Sequence, residues 1–271
     1  MPDKVEQNLL HALQQTGFLN DRQIVFRQET ISTNDDARQL AHKGAPSGTV
    51  VLAERQSGGR GRMGREWQSA PGHALTFSYL LRPRLEDGNI PQLSLVAGLA
   101  VAKALDRCTG LATTIKWPND ILVKGRKVAG VLCEFFPRDA LRAEDAVIIG
   151  IGINVSMRAE DFSADIRQRA TSLLLAGAEG VSRSVLLMAV IEELELQLQR
   201  YSAEGFSSIL QDWRQRDATL GRRLTWVDVK GTLVEGVSLG PDENGKLLVL
   251  DKAGVQREVL SGDVTLASSL P

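Results

Sequence analysis

Gly58-Gly59-Arg60-Gly61-Arg62-Met63-Gly64-Arg65-Glu66-Trp67 is the stretch on which the fold turns. It follows Thr49 to Ala53, a β-branched and apolar run that reads as a buried strand. Gly59, Gly61 and Gly64 spell G-x-G-x-x-G, the spacing of a dinucleotide-binding turn. That turn must open a helix directly, so that a pyrophosphate rests on the helix N-terminus. Here Trp67 leads instead into Ser69-Ala70-Pro71-Gly72, which is loop chemistry, and no G-x-x-x-x-G-K-[ST] loop occurs anywhere. A doubly wound nucleotide fold is therefore set aside. Four glycines let the backbone come close to a ligand and present N–H groups, while three arginines supply forked donors for phosphate or carboxylate. An anionic small molecule suits such a loop, although a solvated basic loop has the same composition.

Working outward, Ala74 to Leu81 reads as a strand and Leu93 to Leu105 as a helix with apolar residues three and four apart. Ile121 to Val123, the bend Lys124-Gly125-Arg126 and the run Lys127 to Phe136 form a hairpin pattern, and Ala146 to Val155 is a further buried strand. Val185 to Tyr201 and Phe206 to Arg216 carry helical spacing. Upstream, Ser32-Thr33-Asn34-Asp35-Asp36 offers N-cap candidates and first-turn acids for a helix over Ala37 to His42, which Gly44 stops. A strand-like run begins at Ile24, after one helical stripe at Val5, Leu9, Leu10 and Leu13. A helix-turn-helix reader needs two helices and a scaffold, so no DNA-binding domain is expected in that segment. From Leu224 the pattern changes to Leu224 to Val229, Thr232 to Leu239, Lys246 to Leu250 and Gln256 to Leu260, with turns at Lys230-Gly231, Asn244-Gly245 and Ala253-Gly254. Such strands predict a small β-barrel leaning on the larger unit, with domains at 1–219 and 220–271.

The 271 residues carry 32 Lys plus Arg against 33 Asp plus Glu, a net charge of -1 that disfavours a generic nucleic-acid coat. With 43% hydrophobic and 24% charged residues, the chain has material for a sizeable core. Cys108 and Cys133 are too few for a disulfide framework and match no zinc spacing. With no apolar leader region and no run of about 18 apolar residues, a reducing cytoplasm is the expected location and no membrane partner is expected.

Two further segments carry chemistry. In Lys116-Trp117-Pro118-Asn119-Asp120, Pro118 sets the turn and holds Asn119 and Asp120 at the mouth of the next strand, with Lys127 eleven residues beyond Lys116. Asp120 then suits Mg²⁺ or a polyphosphate and Lys127 a reacting group; an ordinary Pro-Asn-Asp turn has the same sequence. Cys133 and Glu134 are assigned to packing and the sheet margin. In Gly150-Ile151-Gly152-Ile153-Asn154, two glycines inside an apolar strand weaken it unless another group must come close, a purine being one such group and a tight sheet contact another.

Taken together, Ser32-Thr33-Asn34, Gln56 followed by GRGRMGREW, KWPNDILVKGRKVAGVLCE and GIGINV, in that order, resemble the biotin protein ligase family over about residues 30 to 155. The resemblance implies an α+β fold: a mixed-sheet biotin/lipoate ligase-like catalytic domain with a small C-terminal SH3-like β-barrel. It implies that biotin is joined to ATP with Mg²⁺, giving biotinyl-5′-AMP, and then passed to a lysine of a biotin carboxyl carrier domain, with no tightly bound cofactor. By similarity Ser32, Thr33, Asn34 and Gln56 hold the ureido end of biotin, and Gly59, Arg60 and Gly61 its valeryl carboxylate side. Arg62 and Lys127 face the carboxylate and α-phosphate. Arg65, Lys116 and Asp120 serve the triphosphate, Asp120 as Mg²⁺ ligand, and Trp67, Asn119, Gly150, Gly152 and Asn154 shape the adenylate pocket.

The sequence departs from the family's bifunctional members in lacking the N-terminal DNA-binding domain, so specific DNA is not an expected partner, while homodimerisation is left open. Met63 is expected to tolerate variation. The rival enzyme is a lipoate protein ligase, against which GRGRxGR with KWPND favours biotin. The rival from another class is an RNA-binding module using the Arg and Gly loop, which lacks interleaved aromatics beyond Trp67.

Overall fold

The computed structural model describes residues 9–18, 22–83, 90–137, 145–227, 232–259 and 264–266. The expected positions of Val5, Val229, Lys230-Gly231 and Leu260 lie outside them. A helix α1, Leu9–Gln15, precedes strand β1, Ile24–Thr30, and helix α2, Thr33–His42. Then come β2, Val50–Gln56, β3, Ala74–Leu81, and the long helix α3, Ile90–Thr109. The strands β4, Thr113–Lys116, β5, Asp120–Val123, β6, Arg126–Phe136, and β7, Ala146–Asn154, complete a seven-stranded sheet in the order β1-β2-β3-β7-β6-β5-β4. Only β1 and β2 run parallel; the remaining pairs are antiparallel, so the sheet is mixed as expected.

The two faces of this sheet follow from the period of two along each strand. On β7, Val147, Ile149, Ile151 and Ile153 point to the main core, where α3 and helix α5, Arg183–Glu204, pack with Leu95, Leu99, Leu187 and Leu194 fully buried. Burying each such side chain stabilises the fold by roughly 1.5–3 kcal/mol. The alternate residues Ala146 and Ile148 join Val51 and Leu80 under Ala37 and Ala41 of α2. Continuing along that face, Gly150 and Gly152 replace side chains with a flat floor. The strand is thus apolar throughout because both faces are covered.

Helices α4, Leu173–Ala176, and α6, Phe206–Arg214, lead to a second sheet built from β8, Arg223–Val227, β9, Leu233–Pro241, β10, Leu247–Asp251, β11, Gln256–Val259, and β12, Thr265–Leu266. It is antiparallel in the order β11-β10-β9-β8-β12, in keeping with the small barrel expected. Trp117 Nε1 donates to Gly245 O at 2.9 Å, Gln92 Nε2 to Glu243 O at 2.8 Å and Arg214 to Pro241 O at 2.7 Å, so the second sheet leans on the first through its β9–β10 turn. The strand β4, paired with β5, is an addition to the sequence reading: four residues before a Trp-Pro turn are too few to show alternation.

Candidate active site

The Arg and Gly loop is closed on itself. Gly61 N donates to Arg65 O at 2.7 Å and Trp67 N to Gly59 O at 2.9 Å, a short hairpin around the turn Arg62–Gly64. Met63 holds φ of 56° there and Gly64 φ of 71°. A β-carbon at Gly59 would stand 2.7 Å from Trp67 O, so only glycine lets this hairpin close. No helix follows the loop, in agreement with setting aside the dinucleotide turn.

Beneath the loop lies a cavity of about 730 Å³. Its walls bring together every residue to which the resemblance assigns a role except Gly59, which stands behind them against Gln56 and Trp67. At one end Ser32 occupies the N-cap of α2 without a capping side-chain bond. Thr33 N–H donates to Gln56 Oε1 at 2.8 Å, and Thr33 Oγ1 lies 3.1 Å from the same atom. Asn34 Nδ2 donates to Glu134 Oε2 at 2.6 Å. Arg60 pairs with Asp35 at 2.6 Å and stands 3.8 Å from Glu134. The bond to Asp35, against a smaller opposing effect of burial, raises the Arg60 guanidinium above its ordinary range, so it stays charged. Glu134, three positions along β6 from the buried Val131, thus reaches Asn34 and Arg60 from the sheet margin.

The floor explains the glycines of β7. A β-carbon on Gly150 would overlap the Asn34 amide, and one on Gly152 would overlap the Trp67 indole. The close approach expected there is real, and the approaching groups are the protein's own. Gly130, across the sheet from Gly152, leaves room for Trp67 and for Lys127, whose Nζ sits 5.6 Å from the Trp67 ring centre. Lys127 Nζ pairs with Asp120 Oδ1 at 2.5 Å. Asn119 is locked to the backbone of Val131, its Nδ2 donating to Val131 O at 2.6 Å. Arg62 lies over Trp117 at 5.9 Å, where the Trp117–Pro118 peptide is cis. The cation-rich end of the cavity thus combines Arg62, Arg65, Lys116 and Lys127 with the carboxylate of Asp120, and Glu66 and Asp165 also line the cavity.

One wall escaped the sequence reading. The segment 162–171 runs beside the start of β6, with Lys127 N donating to Arg169 O and Thr171 N to Lys127 O, both at 2.8 Å. It brings Phe162, Asp165, Ile166, Arg169 and Ala170 to the cavity. Its residues show neither helical nor strand period, so no pattern marked it. Asn154 is anchored to this wall, Nδ2 donating to Thr171 O at 2.9 Å. Cys133 is no nucleophile: burial pushes its thiol up to about 12, and it stays protonated at neutral pH.

Residues 26–154 match the model of the biotin/lipoate A/B protein ligase family. The chain is 36% identical over 244 residues to the bifunctional ligase/repressor BirA of Bacillus subtilis, covering 90% of this chain and 74% of that protein. The chain belongs to this ligase family. It is also 33% identical to the biotin–[acetyl-CoA-carboxylase] ligase of Mycobacterium tuberculosis, with 90% of this chain and 88% of that one covered. Among solved structures, the biotin protein ligase of Aquifex aeolicus in complex with biotin and ATP is similar at TM-score 0.76 and 32% identity, over 90% of this chain and 98% of that one. The matched family segment runs from Phe26, within β1, to the end of β7 and holds all the floor and loop residues above.

Proposed function

We propose that the chain is an ATP-dependent biotin protein ligase, which activates biotin to biotinyl-5′-AMP and transfers it to a lysine of a biotin carboxyl carrier domain. The observation that carries this reading is the convergence, in one cavity, of a neutral hydrogen-bonding end at Ser32, Thr33 and Gln56 with a cationic end at Arg62, Arg65, Lys116 and Lys127. About 730 Å³ lies within the range of small-molecule sites, and this one is lined from end to end by the two chemistries a biotin and a nucleotide need. Relatives named as biotin ligases, and a similar structure holding biotin and ATP, support the assignment over lipoate.

In the first step a carboxylate oxygen attacks the α-phosphorus, the bond to the bridging oxygen breaks and pyrophosphate leaves. Two anions must meet, so Lys127 and Arg62 serve to neutralise the charge that builds between them. Lys127 starts from its pair with Asp120, which aims its ammonium across Gly130 into the cavity. Among the described residues Trp67 Nε1 and Asn154 Oδ1 are buried without a hydrogen-bond partner, a donor and an acceptor that fit the edge of a purine. A Mg²⁺ ion accompanying ATP takes one or two protein carboxylates and fills its octahedron from phosphates and water. Among the described residues no group of three or more His, Cys, Asp or Glu could hold a metal ion, and Asp120, beside Lys127 and Lys116 in the cavity wall, fits that mode. Asp120 would hold such an ion, which would supply charge neutralisation on the polyphosphate. In the second step the neutral lysine amine attacks the acyl carbon, AMP leaves and the amine loses a proton; positioning supplies most of the acceleration.

The division at 219/220 places the second sheet as a supporting domain. No described helix is long and apolar enough to cross a membrane. The electrospray mass of the protein after incubation with biotin and MgATP tests the reading: a retained adenylate is expected, and an unchanged mass with no pyrophosphate released would refute it.

A further inference from the structure

Trp117 stands between Lys116 and Asn119, both in the cavity wall, but its own side chain is buried in the main core. Its ring has two neighbours from distant parts of the chain. The guanidinium of Arg62 lies over it, 5.9 Å from the ring centre, and the indole N–H donates to Gly245 O at 2.9 Å, in the β9–β10 turn of the second sheet. We infer that Trp117 is a positioning residue through which the second sheet holds Arg62 in place over the reacting groups.

An aromatic face attracts a cation and an edge does not, so the pose of the ring decides what Arg62 meets. The last torsion of a tryptophan side chain is broad, and one directional N–H bond selects a single pose from it. Gly245 makes that bond rigid. It holds φ of +79°, and a β-carbon there would stand 3.1 Å from the Gln92 backbone nitrogen and 3.3 Å from Leu95 Cδ1, so the turn is pressed onto the first turns of α3. Gln92 Nε2 fastens the same turn through Glu243 O, and Tyr201 OH donates to Gln92 Oε1 at 2.6 Å. The approach to Trp117 is clamped as well. Ile115 N donates to Arg216 O at 2.7 Å and Ala218 N to Ile115 O at 2.9 Å, so the connection between the two sheets runs along the edge strand β4. Arg62 sits instead on a turn of three residues whose middle member, Met63, is 70% exposed. Trp117 is therefore the fixed member of the pair, and Arg62 the one that takes its place from it.

This rests on the biotin reading, in which Arg62 holds the adenylate. A double-mutant cycle tests it, on the rate at which added biotinyl-5′-AMP leaves the protein after dilution into excess biotin, followed by native mass spectrometry. Trp117→Phe keeps a ring but loses the N–H, and Gly245→Ala keeps Trp117 but shifts the turn that receives it. Each should speed release roughly 3- to 30-fold in the parent background. In the Arg62→Gly background, where no guanidinium is left to position, each should change it by less than about two-fold. Equal acceleration in both backgrounds is the mark of a general loosening and would overturn the inference. Parent-like release from folded Trp117→Phe would do the same. Trp117→Phe carries the test alone if Gly245→Ala fails to fold. A parent that does not bind biotinyl-5′-AMP would instead bring down the proposed function itself.

Discussion

Replacing Gly152 with alanine perturbs the site by a single methyl group. Its β-carbon would stand 2.6 Å from Trp67 Nε1, with the neighbouring indole carbons closer still. Non-bonded carbons rest at about 3.5–4.0 Å, so the indole has to lift by roughly an ångström or more. Trp67 cannot slide sideways freely, because its backbone N–H is tied to Gly59 O and its ring edge lies against Gly130. Inserting a methyl into such a place typically costs about 1–3 kcal/mol. If the strain is relieved by displacing Trp67, the adenylate wall and the Lys127 ammonium above the ring move with it. The expected loss in adenylation is then roughly 5- to 150-fold, with a red-shifted tryptophan emission and a melting temperature lowered by a few degrees. The assay is pyrophosphate release at saturating biotin, read beside the emission spectrum. Parent-like adenylation together with a parent-like emission maximum would refute the packing argument, since the methyl would have been accommodated without moving the indole.

Lys127→Ala should lower the adenylation rate far more than it weakens biotin binding, because the ammonium acts on charge that develops in the transition state; equal losses in single-turnover rate and in calorimetric affinity would remove it from the catalytic set. Arg62→Gly should still form adenylate but hold it roughly 10- to 100-fold less tightly, measured as faster biotin labelling of added serum albumin. Asp212 is raised by burial but lowered more by its bonds to Lys103 and Arg200, for a net carboxyl value below its ordinary 3.8. It thus contributes stability that is present above pH 3.8 and lost as the pH falls further, so the melting-temperature gap between parent and Asp212→Asn should be constant near neutrality and close below pH 3.8. Cys133 should resist iodoacetamide at pH 8 until the protein is denatured, as peptide mass mapping will show.

Much of this site was legible because its chemistry is local in sequence. The glycines and arginines from Gly58 to Arg65 announce a loop that meets an anion, and Pro118 announces a turn that presents Asn119 and Asp120. Gly150 and Gly152 were readable as places of close approach, since glycine in an otherwise Ile-rich strand weakens it without such a reason. What pressed on them was not readable, because Asn34 and Trp67 arrive from elements more than eighty residues upstream. Trp117 went unassigned for the same reason: within KWPND it is one aromatic before a proline, and its partner Gly245 lies in a turn of the second sheet. Glu134 looked marginal because the end of β6 is a sheet margin, yet that margin is where the α2 N-terminus crosses. The wall from Phe162 to Ala170 is held by backbone bonds to Lys127, which leave no period in the side chains.

Biotin transfer by this chain is tested by intact-mass spectrometry of a biotin carboxyl carrier domain incubated with the protein, MgATP and equal concentrations of biotin and lipoate. One biotinyl group on one lysine is expected, dependent on ATP and sharply slowed by Lys127→Ala. A lipoylated carrier domain, or an unmodified one in the presence of folded enzyme, would contradict it.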